Sequence, residues 1–202
     1  MAPQLSKRAP ENHPLQQVVA AWCGFILVAL LLGASGASAQ TKPYQDFILG
    51  YQFTPPPGWQ LYESTKQLGQ VSLFQSTSKA LITVNVEDRP KQRDDGKPAT
   101  RKQLDQIGRT YIQSFSRGEL GKLYRNFKVV GSAPGRMGKF NTAQLEFTAS
   151  PVKAGTQPVR IFVSVGGDLG KLSTVTLISP EKYYRNLVPS LGYVLRSFQL
   201  IA

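Results

Sequence analysis

Apolar and polar residues alternate along several short stretches of this chain of 202 residues. In ALITVNVED (80–88), Ile82, Val84 and Val86 occupy one set of alternate positions, and the other set is more polar. A period of two predicts strands with one buried face. The predicted strands are two short segments within 44–53, then 70–76, 80–88, 127–135, 140–150, 158–167 and 171–180, and a closing strand or tail at 197–201.

The connections between the later strands are short and rich in glycine. They read GRMGK, SPVKAGTQP and GGDLGK, beginning at residues 135, 150 and 166. Short turns of this kind join neighbouring antiparallel strands into hairpins. The sequence therefore predicts an antiparallel β-sheet.

A helical period replaces the strand pattern after residue 100. Thr100 followed by Gln103 has the spacing of a capping box, and Gly118 is a stop signal. The spacing predicts a helix over 101–117. Its apolar face is formed by Leu104, Ile107, Tyr111, Ile112 and Phe115.

A second helix is predicted near the end of the chain. Ser179-Pro180-Glu181 has the form of an N-cap, a proline at the first helical position and an acid in the first turn. Pro189 lies inside the helix and predicts a kink or a restart. The order of strands, helix, strands and helix indicates an α+β fold, an antiparallel β-sheet flanked by helices.

The stretch GYQFTPPPGW (50–59) contains three consecutive prolines between aromatic residues. Proline cannot donate to a strand ladder, so a strand ends near Phe53, and Gly58 permits a tight turn. We expect a hairpin whose aromatic side chains lie in the core. The alternatives are a polyproline ligand for a partner domain and an exposed aromatic platform.

The first forty residues have the features of an export signal. Residues 18–32 are apolar and uncharged, Lys7 and Arg8 precede them, and Ala37-Ser38-Ala39 fits a signal peptidase site. The run is shorter than the roughly 20 residues of a spanning helix. We expect a signal peptide over 1–39 and a single domain over 40–202, located in a lumen or the periplasm. An uncleaved membrane anchor is the alternative.

Cys23 and His13, the only cysteine and histidine, both precede that cleavage site. The predicted mature chain therefore lacks the residues of Ser-His and Cys-His catalysis and of the usual zinc and copper sites. We expect no enzymatic activity. Asp94-Asp95 is either a solvated turn or a weak contact for Ca²⁺ or Mn²⁺.

The chain is strongly basic, with a formal net charge of +12 and a pI near 10.0. Residues 89–139 carry 13 basic and four acidic side chains. Such a concentration is either a set of solvated loops or a docking face for an anionic partner. Nucleic acid is disfavoured, because aromatic residues do not interleave with the cations and the chain is expected to be exported. The candidate docking residues are Arg93, Lys97, Arg101, Lys102, Arg117, Lys122 and Arg125.

An ordered set of motifs resembles a known family. The pattern Y-x-D-x-x-x-G-Y-x-F-x-x-P-x-G-W begins at Tyr44, GKFNTAQLEFTAS follows at Gly138, and LGKLSTVTLISPEKYY at Leu169. In this order they resemble the PsbP family of extrinsic lumenal proteins of photosystem II. The resemblance implies an α/β/α sandwich without enzymatic activity that docks on the lumenal face of photosystem II and supports the oxygen-evolving complex.

The resemblance also implies a set of partners and a location. We expect photosystem II lumenal subunits or their acidic loops as partners, peripheral membrane association, a thylakoid lumen or periplasmic location, and a monomer when free. No cofactor is expected, although weak association with Ca²⁺ or Mn²⁺ stays open. The alternative function is an exported periplasmic binding or envelope protein of the same fold. The predicted mature chain departs from the family in its missing histidines, its missing lipid-attachment cysteine and its high positive charge.

Overall fold

The computed structural model describes residues 42–64 and 69–201. These residues contain ten strands and three helices. Each predicted strand is present, and its ends lie within three residues of the predicted ones. The strands are β1 (Tyr44–Asp46), β2 (Tyr51–Phe53), β3 (Gln60–Glu63), β4 (Gln70–Gln75), β5 (Ala80–Asp88), β6 (Tyr124–Met137), β7 (Phe140–Pro151), β8 (Val159–Gly166), β9 (Lys171–Pro180) and β10 (Gln199–Leu200). The helices are α1 (Arg101–Arg117), α2 (Glu119–Leu123) and α3 (Glu181–Ser197).

The strands form two antiparallel sheets. A seven-stranded sheet has the order β3-β4-β5-β9-β8-β7-β6, and a three-stranded sheet has the order β1-β2-β10. The three glycine-rich connections join β6 to β7, β7 to β8 and β8 to β9 as antiparallel pairs, as predicted. The predicted α+β fold with an antiparallel sheet flanked by helices is confirmed.

Neighbouring residues along a strand of the large sheet pack into two separate hydrophobic cores, one on each face. On β8, Ile161 and Val163 belong to the core beneath α1, whereas Phe162 belongs to the core beneath α3. This alternation follows from the period of two along a strand. The molecule therefore has helices on both faces of the sheet, the α/β/α arrangement that the resemblance implied.

Helix α1 has the predicted bounds and the predicted cap. The Thr100 hydroxyl accepts a hydrogen bond from Gln103 N, and Gln103 Oε1 accepts one from Thr100 N at 2.8 Å. Phe115 packs edge-to-face on Phe147 with ring centroids 5.3 Å apart. The short helix α2 was not predicted, because one helical turn is too short to show a 3.6-residue period.

The start of α3 differs from the prediction. Strand β9 extends to Pro180, which is the N-cap of the helix, so Ser179 is the last residue but one of a strand and does not cap the helix. The helix continues through Pro189, so the predicted restart is absent from it. Pro189 has no N–H to donate to the carbonyl oxygen of Arg185, four residues earlier. Both residues are exposed, so water can donate to that oxygen instead.

The three-proline stretch is not a hairpin. Strand β2 pairs with β1 and β10, whereas β3 pairs with β4 in the other sheet, so residues 54–59 cross between sheets. The expected burial of the aromatic residues is correct, since Tyr51, Phe53 and Trp59 all lie in the α3 core. Pro55 and Pro56 are buried too, which is incompatible with a polyproline ligand or an exposed aromatic platform.

The predicted signal peptide and its cleavage site lie outside the described residues. Among residues 42–64 and 69–201, no helix is long and apolar enough to cross a membrane.

Candidate functional site

A groove of about 460 Å³ lies at the amino end of α1. Its walls are the loop over residues 89–100, the first two turns of α1, the start of β7 and the end of β8. We call it the α1 groove, and the loop the basic loop. The side chains that matter for its chemistry are Arg93, Asp94, Lys97, Gln103, Gln106 and Asn141.

The basic loop is held against the β8–β9 turn by main-chain hydrogen bonds. Arg89 N donates to Gly170 O at 2.7 Å, and Gly170 N donates to Gln92 O at 3.0 Å. Asp94 N donates to the carboxylate of Asp168 at 3.2 Å. The loop therefore has a defined path, although it contains no regular secondary structure.

Asp94 ties the same loop to β7. Its two carboxylate oxygens accept hydrogen bonds from Asn141 N at 2.9 Å, Asn141 Nδ2 at 3.0 Å and Gly96 N at 2.9 Å. Partial burial acts to raise the pKa of Asp94. The hydrogen bonds from Asn141 and Gly96 and the charge of Arg136 outweigh it, so the pKa lies below its ordinary value of 3.8. This carboxylate is a structural tie, not the solvated turn that the sequence suggested.

The second acid of the loop also turns inward on the backbone. Asp95 Oδ1 accepts a hydrogen bond from Lys97 N at 3.0 Å. Within the described residues, no cluster of three or more carboxylate, histidine or cysteine side chains is placed to hold a metal ion. The oxygens of Asp94 face nitrogen donors, so they are a poor start for the Ca²⁺ or Mn²⁺ contact considered from the sequence.

Three of the four cations of this region have no carboxylate partner within the described residues. Arg93, Lys97 and Lys102 are exposed, and none of them forms an ion pair within the described residues. Arg101 contacts Asp105 at 3.2 Å, one helical turn along α1. Within the groove Arg93 and Lys97 lie beside the carboxylates of Asp94 and Asp95, so the excess of positive charge comes from the neighbouring first turn of α1.

The position of these cations is unfavourable for the isolated fold. Arg101 and Lys102 are the first two residues of α1, whose first turn contains no acidic residue. The amino end of a helix carries partial positive charge, so each added cation costs about 0.3–1 kcal/mol at low ionic strength. Asp105 compensates Arg101, but no acidic partner for Lys102 is found within the described residues.

The other three predicted docking residues lie elsewhere. Arg117 ends α1, and Lys122 and Arg125 follow on α2 and β6. The 16 residues from Arg101 to Arg117 correspond to about 24 Å along the helix axis. Lys122 pairs with Glu119 at 2.6 Å. Arg117 lies at the carboxyl end of the helix, where a cation is favourable. The structure therefore divides the predicted set into two groups at opposite ends of α1.

Sequence reasoning missed three amides of the α1 groove. Gln103, Gln106 and Asn141 line it with Arg93 and Lys97. Gln103 and Gln106 are three residues apart on a predicted helix and so share a face, which was a usable signal. No pattern in the sequence joins Asn141 to this region, because the contact between β7 and the basic loop is long-range.

Comparison with protein-family models assigns this chain to a family. The model described as PsbP matches residues 39–200 of the chain. The chain belongs to the PsbP family. The resemblance seen in the ordered motifs is thus confirmed, and no curated protein sequence matches this chain significantly.

Solved structures share the fold at low sequence identity. The solution structure of cyanobacterial PsbP (CyanoP) from Synechocystis sp. PCC 6803 matches with a TM-score of 0.59 and 19% identity, over 84% of this chain and 98% of that chain. The Ran-binding protein Mog1p of Saccharomyces cerevisiae matches with a TM-score of 0.51 and 11% identity, over 81% and 96%.

LpqN of Mycobacterium tuberculosis, described as involved in cell envelope biogenesis, matches with a TM-score of 0.50 and 16% identity, over 80% of this chain and 90% of that chain. The names of these neighbours describe different roles. At such identities the likeness is one of fold, so function has to be argued from this chain's own residues.

Proposed function

We propose that this protein is a non-enzymatic extrinsic subunit or assembly factor that docks on the lumenal face of photosystem II and supports the oxygen-evolving complex. Membership of the PsbP family supports the general assignment. The observation that carries the docking site is the set of exposed cations at the α1 groove and the adjoining helix start that form no ion pair within the described residues, Arg93, Lys97 and Lys102. Its partner is an acidic loop of a lumenal subunit.

The hydrogen bonds of the two loop acids support this role. Asp94 and Asp95 satisfy backbone and amide donors, while Arg93 and Lys97 project from the same loop without carboxylate partners in the described part of the chain. An acidic loop in the groove would neutralise these cations and Lys102 together. The groove amides add hydrogen-bonding groups that hold a docked peptide in one orientation.

Docking of this kind is peripheral and reversible. Electrostatic attraction between exposed groups accelerates association and weakens as salt shortens the Debye length from about 10 Å at 0.1 M to about 3 Å at 1 M. In this proposal the free protein is an exported monomer in the thylakoid lumen or periplasm. It leaves the membrane at high salt.

The second candidate is an exported envelope protein of the same fold with no role in photosynthesis. LpqN, described as involved in cell envelope biogenesis, shows that the same fold occurs in a protein of that kind. A pulldown from solubilised membranes of the source organism separates the two. Recovery of photosystem II subunits supports the first candidate, and recovery of envelope proteins without them supports the second.

The docking site is tested by a triple substitution, Lys97→Gln, Arg101→Gln and Lys102→Gln. The variant should associate with membranes more slowly and be released at lower salt than the native protein. The matched control replaces Lys153, Arg185 and Arg196 by glutamine, which removes the same charge from exposed positions outside the groove. Equal losses in both variants would mean that only net charge matters, and an unchanged triple variant would exclude Lys97 and the amino end of α1 as the docking site.

A further inference from the structure

A second groove, of about 480 Å³, lies at the amino end of α3. We call it the α3 groove. It is at the Val159 end of β8, whereas the α1 groove is at the Gly166 end, about 23 Å away for a strand of this length. It is therefore a separate site. The lining residues used below are Lys79, Ser179, Lys182 and Tyr183.

The amino end of α3 leaves two backbone donors unused. Pro180, the N-cap, has no N–H, and no side chain caps the helix. Glu181 N donates to Pro158 O at 2.9 Å. The next two N–H groups, those of Lys182 and Tyr183, precede the first helical hydrogen bond and have no acceptor among the described residues.

Ser179, one of the residues that line the same groove, has a buried hydroxyl. Ser179 is 1% exposed, and its Oγ has no hydrogen-bond partner in the described structure. Buried hydroxyl groups are normally paired, because an unpaired one has lost its hydrogen bond to water without a replacement. A ligand that accepts a hydrogen bond at this position would satisfy it.

Two cations complete the groove. Lys79 lies on the exposed turn between β4 and β5, and the Lys182 ammonium lies 4.6 Å from the centre of the Tyr183 ring. The only acid in the first turn of α3, Glu181, binds Arg160 at 3.1 Å. Its negative charge is thus compensated.

We propose that the α3 groove binds a small oxyanion of the phosphate or sulfate type. The unused N–H groups of Lys182 and Tyr183, the Ser179 hydroxyl and the two ammonium groups are all donors. A tetrahedral oxyanion has enough acceptor oxygens to meet them together, and the helix end favours negative charge. The oxyanion is either a free inorganic ion or the headgroup of an anionic lipid. The proposal does not depend on docking at the α1 groove.

The binding test uses the purified protein and inorganic phosphate or sulfate. Amide resonances of Lys182 and Tyr183 should shift in a saturable manner when either salt is added, and sodium chloride at the same ionic strength should shift them much less. Equal shifts with chloride would reduce the effect to ionic strength and overturn the proposal.

Matched variants locate the site. Lys79→Gln with Lys182→Gln should raise the dissociation constant for phosphate about tenfold or more, because two charge-assisted contacts are lost. Arg109→Gln with Lys128→Gln removes the same charge from exposed positions outside the groove and should leave the affinity unchanged.

The role of the Ser179 hydroxyl is tested against a second buried serine. Ser173 lies on the same strand, is also buried and unpaired, and does not line the groove. Ser179→Ala should weaken phosphate binding, and Ser173→Ala should not. Equal affinities in all four variants would overturn the proposal.

Vesicles distinguish the two sources of oxyanion. The protein is sedimented with vesicles of phosphatidylcholine, with and without phosphatidylglycerol. If the Lys79/Lys182 variant loses sedimentation more than the charge-matched control, the site takes a lipid headgroup. If phosphate binds but the two variants sediment equally, the site takes the free ion.

Discussion

Lys102→Gln should stabilise the free protein while it weakens docking. Lys102 is the second residue of α1, is exposed, and forms no ion pair within the described residues. Its removal relieves the repulsion from the helix amino end, about 0.3–1 kcal/mol at low ionic strength. For a domain of this size, 1 kcal/mol corresponds to about 2–4 °C in Tm. We therefore expect a rise in Tm of roughly 1–4 °C.

The assay is thermal unfolding at low ionic strength and again at high salt. Arg109→Gln is the control, because Arg109 is exposed in the middle of the same helix and is remote from both helix ends. The gain from Lys102→Gln should exceed that of the control and shrink as salt rises. A lower Tm for Lys102→Gln, or a gain equal to the control, would show that the cation is not a cost to the fold. The position of Lys102 would then require no external anion.

Three further predictions concern the loop tie, a hairpin and the leader. Because the pKa of Asp94 lies below its ordinary value of 3.8, its carboxylate stabilises the fold above that pH and the contribution is lost as pH falls through the lower folded pKa. The free energies of unfolding of the native protein and the Asp94→Asn variant, measured with denaturant, should therefore differ at neutral pH and converge below pH 3.8. A difference that stays constant with pH would mean that the ionised Asp94 carboxylate does not stabilise the loop. Gly138→Ala should lower Tm far more than Gly155→Ala: both glycines have positive φ, but only at Gly138 would a new Cβ meet a backbone atom, Phe198 O at 2.0 Å. Intact mass of the protein from its source should correspond to a chain beginning at Gln40, and a mass that includes residues 18–39 would mean a retained anchor.

The elements of this fold were largely predictable because their signals are local. The alternation in residues 80–88 and the Thr100–Gln103 capping box depend on neighbours a few residues apart. Such patterns identify strands, helices and turns, but they do not name the partner of a strand. For this reason the sequence predicts a hairpin at the GYQFTPPPGW stretch. Only the pairing of β2 with β10, nearly 150 residues away, places it between two sheets.

The candidate docking site was likewise predictable only in its local features. The concentration of cations and the position of Arg101 and Lys102 at a helix start were visible in the sequence. Their separation from Arg117 follows from helix length, but the α1 groove does not. It exists because Asp94 reaches Asn141, 47 residues away, and turns its carboxylate inward. A local pattern cannot specify that contact, since it depends on how the basic loop packs on the sheet after the strands have paired.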